Sequence, residues 1–324
     1  MKVSNNFPLS EITYYKIGGK AKFLLEIESQ QDLLESLHFV QKNSIKKTLP
    51  LGLGSNVLIN DKEFNGAVLK FVSPKNPYIE QIDEELVRVF ASHYLDDVIQ
   101  FGFDNGLIGL EWAGGLPSLV GAAVRGNVGA FGGEIKDSVE KVETVEKVDK
   151  DSGQARMTVL NNSKLQFTYR DSIIKQNKNL IVSTVYFRLK KAAAEEIVKA
   201  KHIYNDHIQY RQEHHPMEYP SCGSVFKNIT KKDDMEKILS VWPDVGLLSK
   251  EKWHDKISMG YVINRLGFSG KQIGGAQVSE KHTNYIINKN NASFNEVVSL
   301  INEVKEEFNN VFGFYPEQEV EIVY

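Results

Sequence analysis

Three short segments of the 324-residue chain gather polar side chains in patterns that a bland fold does not require. In Phe167-Thr168-Tyr169-Arg170-Asp171-Ser172 an arginine is flanked by aromatics. Its planar guanidinium either pairs with Asp171 at a sheet edge or grips a carboxylate through its fork of N–H groups. In Pro220-Ser221-Cys222-Gly223-Ser224-Val225-Phe226-Lys227-Asn228, Pro220 and Gly223 shape a turn that presents Ser224, with Lys227 and Asn228 within reach of a polar ligand. Ser224 is either a turn residue or a working hydroxyl, and no histidine and aspartate accompany it in a pattern that suggests acyl transfer. Glu317, Glu319 and Glu321 alternate, which predicts one face of a C-terminal strand. Three like charges on a face cost stability unless the face is solvated or functional.

Glycines supply a second kind of signal. Residues 109–134 hold eight of the 24 glycines and only Glu111, Arg125 and Glu134 as charges. Glycine has the most backbone freedom to lose on folding, so such a cluster implies left-handed turns or close main-chain approach, and a large, flat, partly anionic cofactor is the natural candidate. Upstream, Leu49-Pro50-Leu51 and Val57-Leu58-Ile59 flank the turn Gly52-Leu53-Gly54-Ser55-Asn56. Successive N–H groups in such a turn form an anion-binding concavity, and Ser55 and Asn56 add donors. A plain tight hairpin is the alternative. The dinucleotide fingerprint is missing its third glycine and its helix, and no Gly-Lys-Ser/Thr follows. The two glycine features together favour a pyrophosphate-bearing cofactor such as a flavin.

The elements that must position these groups follow from periodicity. Lys20 to Ile27 reads as a strand; Ser29 caps a helix whose Leu33, Leu34, Leu37 and Val40 share a face. Leu86 to Ser92 is a strand, and Leu95 to Asn105 a helix ended by Gly106. Val139 to Val148 and Leu180 to Leu189 alternate like half-buried antiparallel strands, so the middle third is mostly sheet. Lys190 to about His214 is polar and helical, a connector between domains. Ser293 and Glu296 form a capping box before the stripe Val297, Leu300, Ile301, Val304 and Phe308. Ile273 to Val278, Thr283 to Asn288 and Glu319 to Val323 read as strands. This irregular order predicts an α+β architecture rather than a doubly wound parallel sheet.

Composition sets the bounds. The length suits about two domains. Charge is near balance, with 39 basic and 42 acidic residues, and scattered lysines make no nucleic-acid face. No apolar run suits a signal peptide or a membrane span, so a cytoplasmic protein without membrane insertion is expected. Cys222 is the only cysteine, which excludes an internal disulfide and a thiolate-rich metal site; no metal is expected, and the thiol is read as a buried spacer.

In this order, the segments Gly52 to Asn56, Gly109-Leu110-Glu111 through Gly133, Tyr169 to Ser172, Pro220 to Asn228, Ile273-Gly274-Gly275-Ala276 with His282, and Glu317-Gln318-Glu319-Val320 resemble the UDP-N-acetylenolpyruvoylglucosamine reductase family, in its shorter type. The resemblance runs from about Ile12 to Val323. It implies a two-part FAD-binding domain of the vanillyl-alcohol-oxidase type, residues 1–72 and 73–205, then a smaller α+β substrate domain, 206–324, whose C-terminal strand contributes a catalytic glutamate. The implied activity is a cytoplasmic step of peptidoglycan precursor synthesis: NADPH reduces non-covalently bound FAD, which passes a hydride to the enolpyruvyl ether of the UDP-sugar. On that reading Arg170 and Glu319 hold and polarise the enolate, and Ser224 donates the proton. Cofactor contacts are expected at Gly52, Leu53, Gly54, Ser55, Asn56, Pro117, Gly121, Ala122, Asn127, Gly129 and Ile181. Tyr219, Arg211, Lys227 and Asn228 are expected to bind the UDP-sugar. A monomer is expected. The chain departs from the family pattern at Ile12, Ala91-Ser92, Ala122 and Gln318, and residues 243–256 look like an insertion. Another flavin oxidoreductase of this fold, acting on an alcohol or sugar, or a catalytically silent paralogue, is the alternative.

Overall fold

A computed structural model of the chain describes residues 1–76, 78–146 and 155–324. It has two compact units that the chain enters repeatedly. The first is Met1–Phe7, Ala21–Leu53 and Phe64–Arg211; the second is Pro8–Lys20, Gly54–Glu63 and Gln212–Tyr324. The border expected at residue 72 thus falls inside the first unit, and the one at 205 inside the helix Ala194–His214.

In the first unit, Lys20–Ile27, Phe64–Phe71 and Thr48–Leu51 form a parallel array, with Lys2–Pro8 on its outer edge. The helix Gln30–Lys42 makes one crossover; Ser29 caps it by a reciprocal bond with Asp32, and Leu33 and Leu37 are buried. Parallel strands of one sheet need such a connection, here spanning the intervening Phe64–Phe71, so the apolar strands and the capped helix specify one another. The second sheet is antiparallel, in the order Arg156–Asn161, Val139–Glu146, Leu180–Arg188, Leu86–Phe90, Ile79–Gln81. Its alternate residues Val185 and Phe187, and Val87 and Val89, are buried, as are Val142 and Val145 on either side of a register shift, each stabilising by about 1.5–3 kcal/mol relative to exposure. The part of the expected strand at 147–148 lies outside the described residues.

The second unit packs the helix Phe294–Phe312 against the antiparallel strands Gln272–Ile273, Ala276–Val278 and Ile286–Asn288. The expected strand Ile273 to Val278 is a hairpin. Gly274 turns it with φ +53, and a Cβ there would overlap the Glu296 carboxylate at 1.9 Å. Thr283 to Ile286 is likewise mostly irregular. The strand expected from Glu319 starts at Glu321, so Glu317, Glu319 and Glu321 do not share a strand face. Residues 317–320 are instead drawn toward residues 225–227: the Lys227 N–H donates to Glu317 O at 2.9 Å and the Glu319 N–H to Val225 O at 2.8 Å. Val57–Ile59 does not return on Thr48–Leu51; it pairs in parallel with Glu321–Val323. The tight-hairpin alternative for Gly52 to Asn56 is therefore excluded. The apparent insertion forms the helix Val245–Lys252, which buries Val245; just before it Trp242 meets Phe312 edge-on at 4.9 Å and Asp244 pairs with Arg265 at 2.7 Å.

Candidate active site

In the second unit three segments converge around Ser224. Gly223 takes φ +76 and aims the serine turn at Ser55, whose carbonyl oxygen would lie 3.9 Å from a Cβ at Gly223. Glu319 stands beside the same turn through its bond to Val225 O and the bridge of Phe226 with Gln318. Asn56 closes the group by donating its side-chain amide to Glu319 O at 3.3 Å, while its own carbonyl accepts from the Glu321 N–H at 3.1 Å. Ser55 and Asn56 of the glycine turn, Ser224 and Glu319 are thus one neighbourhood. The buried Asn284 clamps it. Its carbonyl accepts from the Val225 N–H at 2.8 Å, its Oδ1 from the Phe226 N–H at 3.0 Å, and its Nδ2 donates to Phe226 O at 2.8 Å. Asn284 was not singled out in the sequence, where Thr283 to Asn288 reads as a strand; an asparagine inside such a run was the signal.

Cys222, next to that turn, is buried, and burial, with the Glu319 charge adding to it, pushes its thiol far above the ordinary range. A thiol held protonated is a spacer rather than a redox group. Lys227 and Lys231 both reach Glu317, the former at 3.3 Å, and Lys231 first and Lys227 with it hold that carboxyl below its usual range despite burial. The Asn228 side chain accepts from the Met259 N–H at 3.0 Å. Tyr219 is exposed at the surface. His282 is lowered by burial and stacks edge-on to His215.

Arg170 belongs to the first unit. Thr168 and Asp171 exchange two backbone bonds of 3.1 Å, and Tyr169 and Arg170 form the tip of that turn. Arg170 has φ +58, a left-handed conformation that costs a non-glycine residue free energy. Its guanidinium donates to Gly129 O, and its carbonyl accepts from Lys175 Nζ at 3.0 Å. Asp171 bonds to Gln176 Nε2 at 2.9 Å. Arg170 therefore reaches the hairpin of Gly129–Ala130 and Gly133–Glu134.

The glycine-rich run proves to be partly a packing device. A Cβ at Gly114 would meet Tyr204 O at 2.3 Å, at Gly133 the Trp112 ring at 2.3 Å, at Gly121 the Ala91 Cβ at 2.8 Å, and at Gly129 the Gly133 O at 2.6 Å. The Gly121 N–H donates to Ala91 O at 3.0 Å. Ala122 is exposed, Pro117 half-buried, and Ile181 lies in the antiparallel sheet opposite Val145. Arg211 turns its Nε to Gly114 O at 2.9 Å and its guanidinium over Phe131 at 5.2 Å, so part of it is engaged within the first unit.

Gly52 and Leu53 follow the C-terminal end of a parallel strand, the side of such sheets where ligands bind. Lys70, on the neighbouring strand, donates to Gly52 O, which brings a cation to the turn. A Cβ on Gly52 would come to 3.4 Å from Ala122, so a side chain would fill this cradle. Open backbone beside a fixed ammonium suits a diphosphate-bearing cofactor.

Residues 21–155 match the model of an FAD binding domain, and residues 215–323 that of the UDP-N-acetylenolpyruvoylglucosamine reductase C-terminal domain. UDP-N-acetylenolpyruvoylglucosamine reductase of Caldanaerobacter subterraneus subsp. tengcongensis is 32% identical over 99% of this chain and 94% of its own length. The enzyme of that name from Thermotoga maritima is 35% identical over 97% and 96%. The crystal structure of the reductase from Thermus caldophilus superposes with a TM-score of 0.72 at 26% identity, covering 100% of this chain and 98% of that one.

Proposed function

This chain belongs to the UDP-N-acetylenolpyruvoylglucosamine reductase family, and from that membership we propose how its own residues carry the reduction. It is a flavin-dependent oxidoreductase that reduces UDP-N-acetylenolpyruvoylglucosamine in peptidoglycan precursor synthesis, with FAD as cofactor and NADPH as reductant. FAD, once reduced by NADPH, would supply the hydride that adds to the enolpyruvyl double bond.

The protein's part is to stabilise the negative charge that this addition creates and then to protonate it. Arg170 binds the substrate carboxylate bidentately and holds the developing enolate, as a preorganised donor worth roughly 10² to 10³ in rate. Ser224 Oγ–H gives its proton to the carbanionic carbon, a positioned acid worth typically about 10² to 10⁴. Glu319 polarises the same carboxylate group. Gly52, Leu53, Gly54, Ser55 and Asn56, with Lys70, hold the diphosphate of FAD; Tyr219, Arg211, Lys227 and Asn228 take the UDP-sugar. The observation that supports this reading is the backbone tie of Glu319 to Val225, which brings residue 319 beside the turn that carries Ser224. The site works in the cytoplasm, where both the reductant and the nucleotide sugar are made. No helix among the described residues is long and apolar enough to cross a membrane.

The test is to separate the half-reactions. Ser224→Ala should bleach with NADPH under nitrogen at nearly the normal rate, while recolouring by the UDP-enolpyruvyl sugar falls by at least about 10². Equal loss in both half-reactions would instead indicate a folding or flavin defect, and recolouring at the normal rate would refute the proton-donor role.

A further inference from the structure

Arg170 sits at the tip of a strained turn, and something must hold that tip in register with its acceptor. The group at the right place is Asn127. It is 0% exposed and takes φ +41, a left-handed conformation that asparagine tolerates better than most residues. Its Nδ2 donates to Thr168 O at 2.8 Å and to Glu134 Oε2 at 3.2 Å, and its Oδ1 accepts from the Lys136 N–H at 3.3 Å. Two acceptors on one side and a donor on the other fix the orientation of the amide.

These partners are the two pieces that Arg170 joins. Thr168 starts the turn that carries it. Glu134 pairs with Gly129 across the small hairpin of Gly129–Ala130 and Gly133–Glu134, and Gly129 O is the acceptor of the Arg170 guanidinium. One buried amide therefore ties the base of the arginine turn to the hairpin that receives the arginine's side chain. The nearby bond from Ser172 Oγ to Arg125 O, 2.7 Å, fastens the far side of the turn to the helix Val120–Arg125.

We propose that Asn127 is the positioning residue for Arg170, acting through the Thr168 carbonyl and the Gly129 hairpin rather than by touching the flavin with its side chain. This rests on the reading of Arg170 as the group that binds the substrate carboxylate. A displacement of about 1 Å at such a group can cost on the order of 10²-fold in rate.

Asn127→Gly removes the amide without adding strain at positive φ, and Asn127→Asp keeps the shape and the acceptor for the Lys136 N–H. In both variants FAD affinity, read by titration of flavin fluorescence, and the rate of bleaching by NADPH should stay within about threefold, while recolouring by the UDP-enolpyruvyl sugar slows about 10- to 100-fold. In an Arg170→Ala background, Asn127→Gly should slow recolouring no further, because a residue acting through another has nothing left to position. Additive losses, or weakened FAD binding with recolouring spared, would overturn the proposal. Arg170→Ala measured alone separates the two levels. If that variant recolours normally, the catalytic reading of Arg170 fails and this inference goes with it. If Arg170→Ala is slow but Asn127→Asp and Asn127→Gly are not, only the positioning role is lost.

Discussion

Buried polar side chains set the geometry at the scale of single residues. Asn284 satisfies both backbone groups of Phe226, and Asn284→Ala would leave a buried N–H and a buried C=O without their partner, at about 1–3 kcal/mol for each group. The urea midpoint should fall accordingly, with recolouring by substrate slowed more than bleaching by NADPH. His93 is a comparable case in the first unit. It is 3% exposed; its Nε2 accepts from the Tyr78 N–H at 3.1 Å and its Nδ1 faces Phe90 O at 3.1 Å, an arrangement that suits the neutral Nδ1–H tautomer. Burial is the main cause that lowers its pKa below the ordinary 6.5, against the opposing pull of Phe90 O and Asp97. A depressed folded pKa means that the unfolded chain binds the proton more readily. The associated stability is whole above about pH 6.5 and is lost as pH falls through the lowered value. Thermal midpoints of the wild type should drop between pH 7 and pH 5 by more than those of His93→Gln; equal drops would assign the acid sensitivity elsewhere. Neither residue was singled out in the sequence. A buried histidine or asparagine has the same letter as an exposed one, and only the partners brought by distant segments give it a role. Arg170 and Ser224 stood out as candidates because each stands among glycine, proline or aromatic residues whose turn chemistry the chain would not otherwise need, and Glu319 stood out by its alternation with Glu317 and Glu321.

Elements were readable in proportion to how many independent signals agreed. The helix Phe294–Phe312 combines a reciprocal cap between Ser293 and Glu296, a continuous apolar stripe and Gly313 at φ +74 after its last turn. Cap, period and stop signal all point to one element. Ser293→Ala removes the acceptor for the Glu296 N–H, bonded at 3.3 Å, and should destabilise the protein by about 0.5–2 kcal/mol in urea unfolding without changing FAD affinity. Short strands carried fewer signals. Ile273 to Val278 read as continuous because apolar residues flank Gly274 and Gly275, yet two adjacent glycines are themselves a turn signal, and Glu296 leaves no room for a side chain at the first. The Gly275 N–H donates to Glu296 Oε2 at 3.2 Å, so the hairpin and the helix cap share one carboxylate. The same weakness let Glu319 read as the start of a strand, whereas its N–H is spent on Val225.

Across the whole molecule, family membership over almost the full chain agrees with the fold, but the division of labour between the units does not follow chain order. Residues 8–20 and 54–63 belong with the C-terminal segment. Tyr15 donates to Ile286 O at 2.6 Å, and Asn288 Nδ2 to Tyr15 O at 3.0 Å, so the second unit is not contained in residues 212–324. That fragment expressed alone should show poor amide dispersion by NMR and no cooperative thermal transition; a folded fragment would show that the early segments are dispensable. The sequence did not reveal this interleaving, because strand propensity says nothing about which distant strand completes a pair.

The parallel pairing of Val57–Ile59 with Glu321–Val323 also has a consequence during synthesis. Asn56 and Glu319, which flank it, are 263 residues apart. At about 5–20 residues per second a ribosome needs on the order of tens of seconds to deliver the second half of that ladder. Throughout that interval the nascent chain carries a short apolar edge still waiting for its mate, and this is the surface on which a holdase, or a stray strand from a neighbouring polysome, would first take hold.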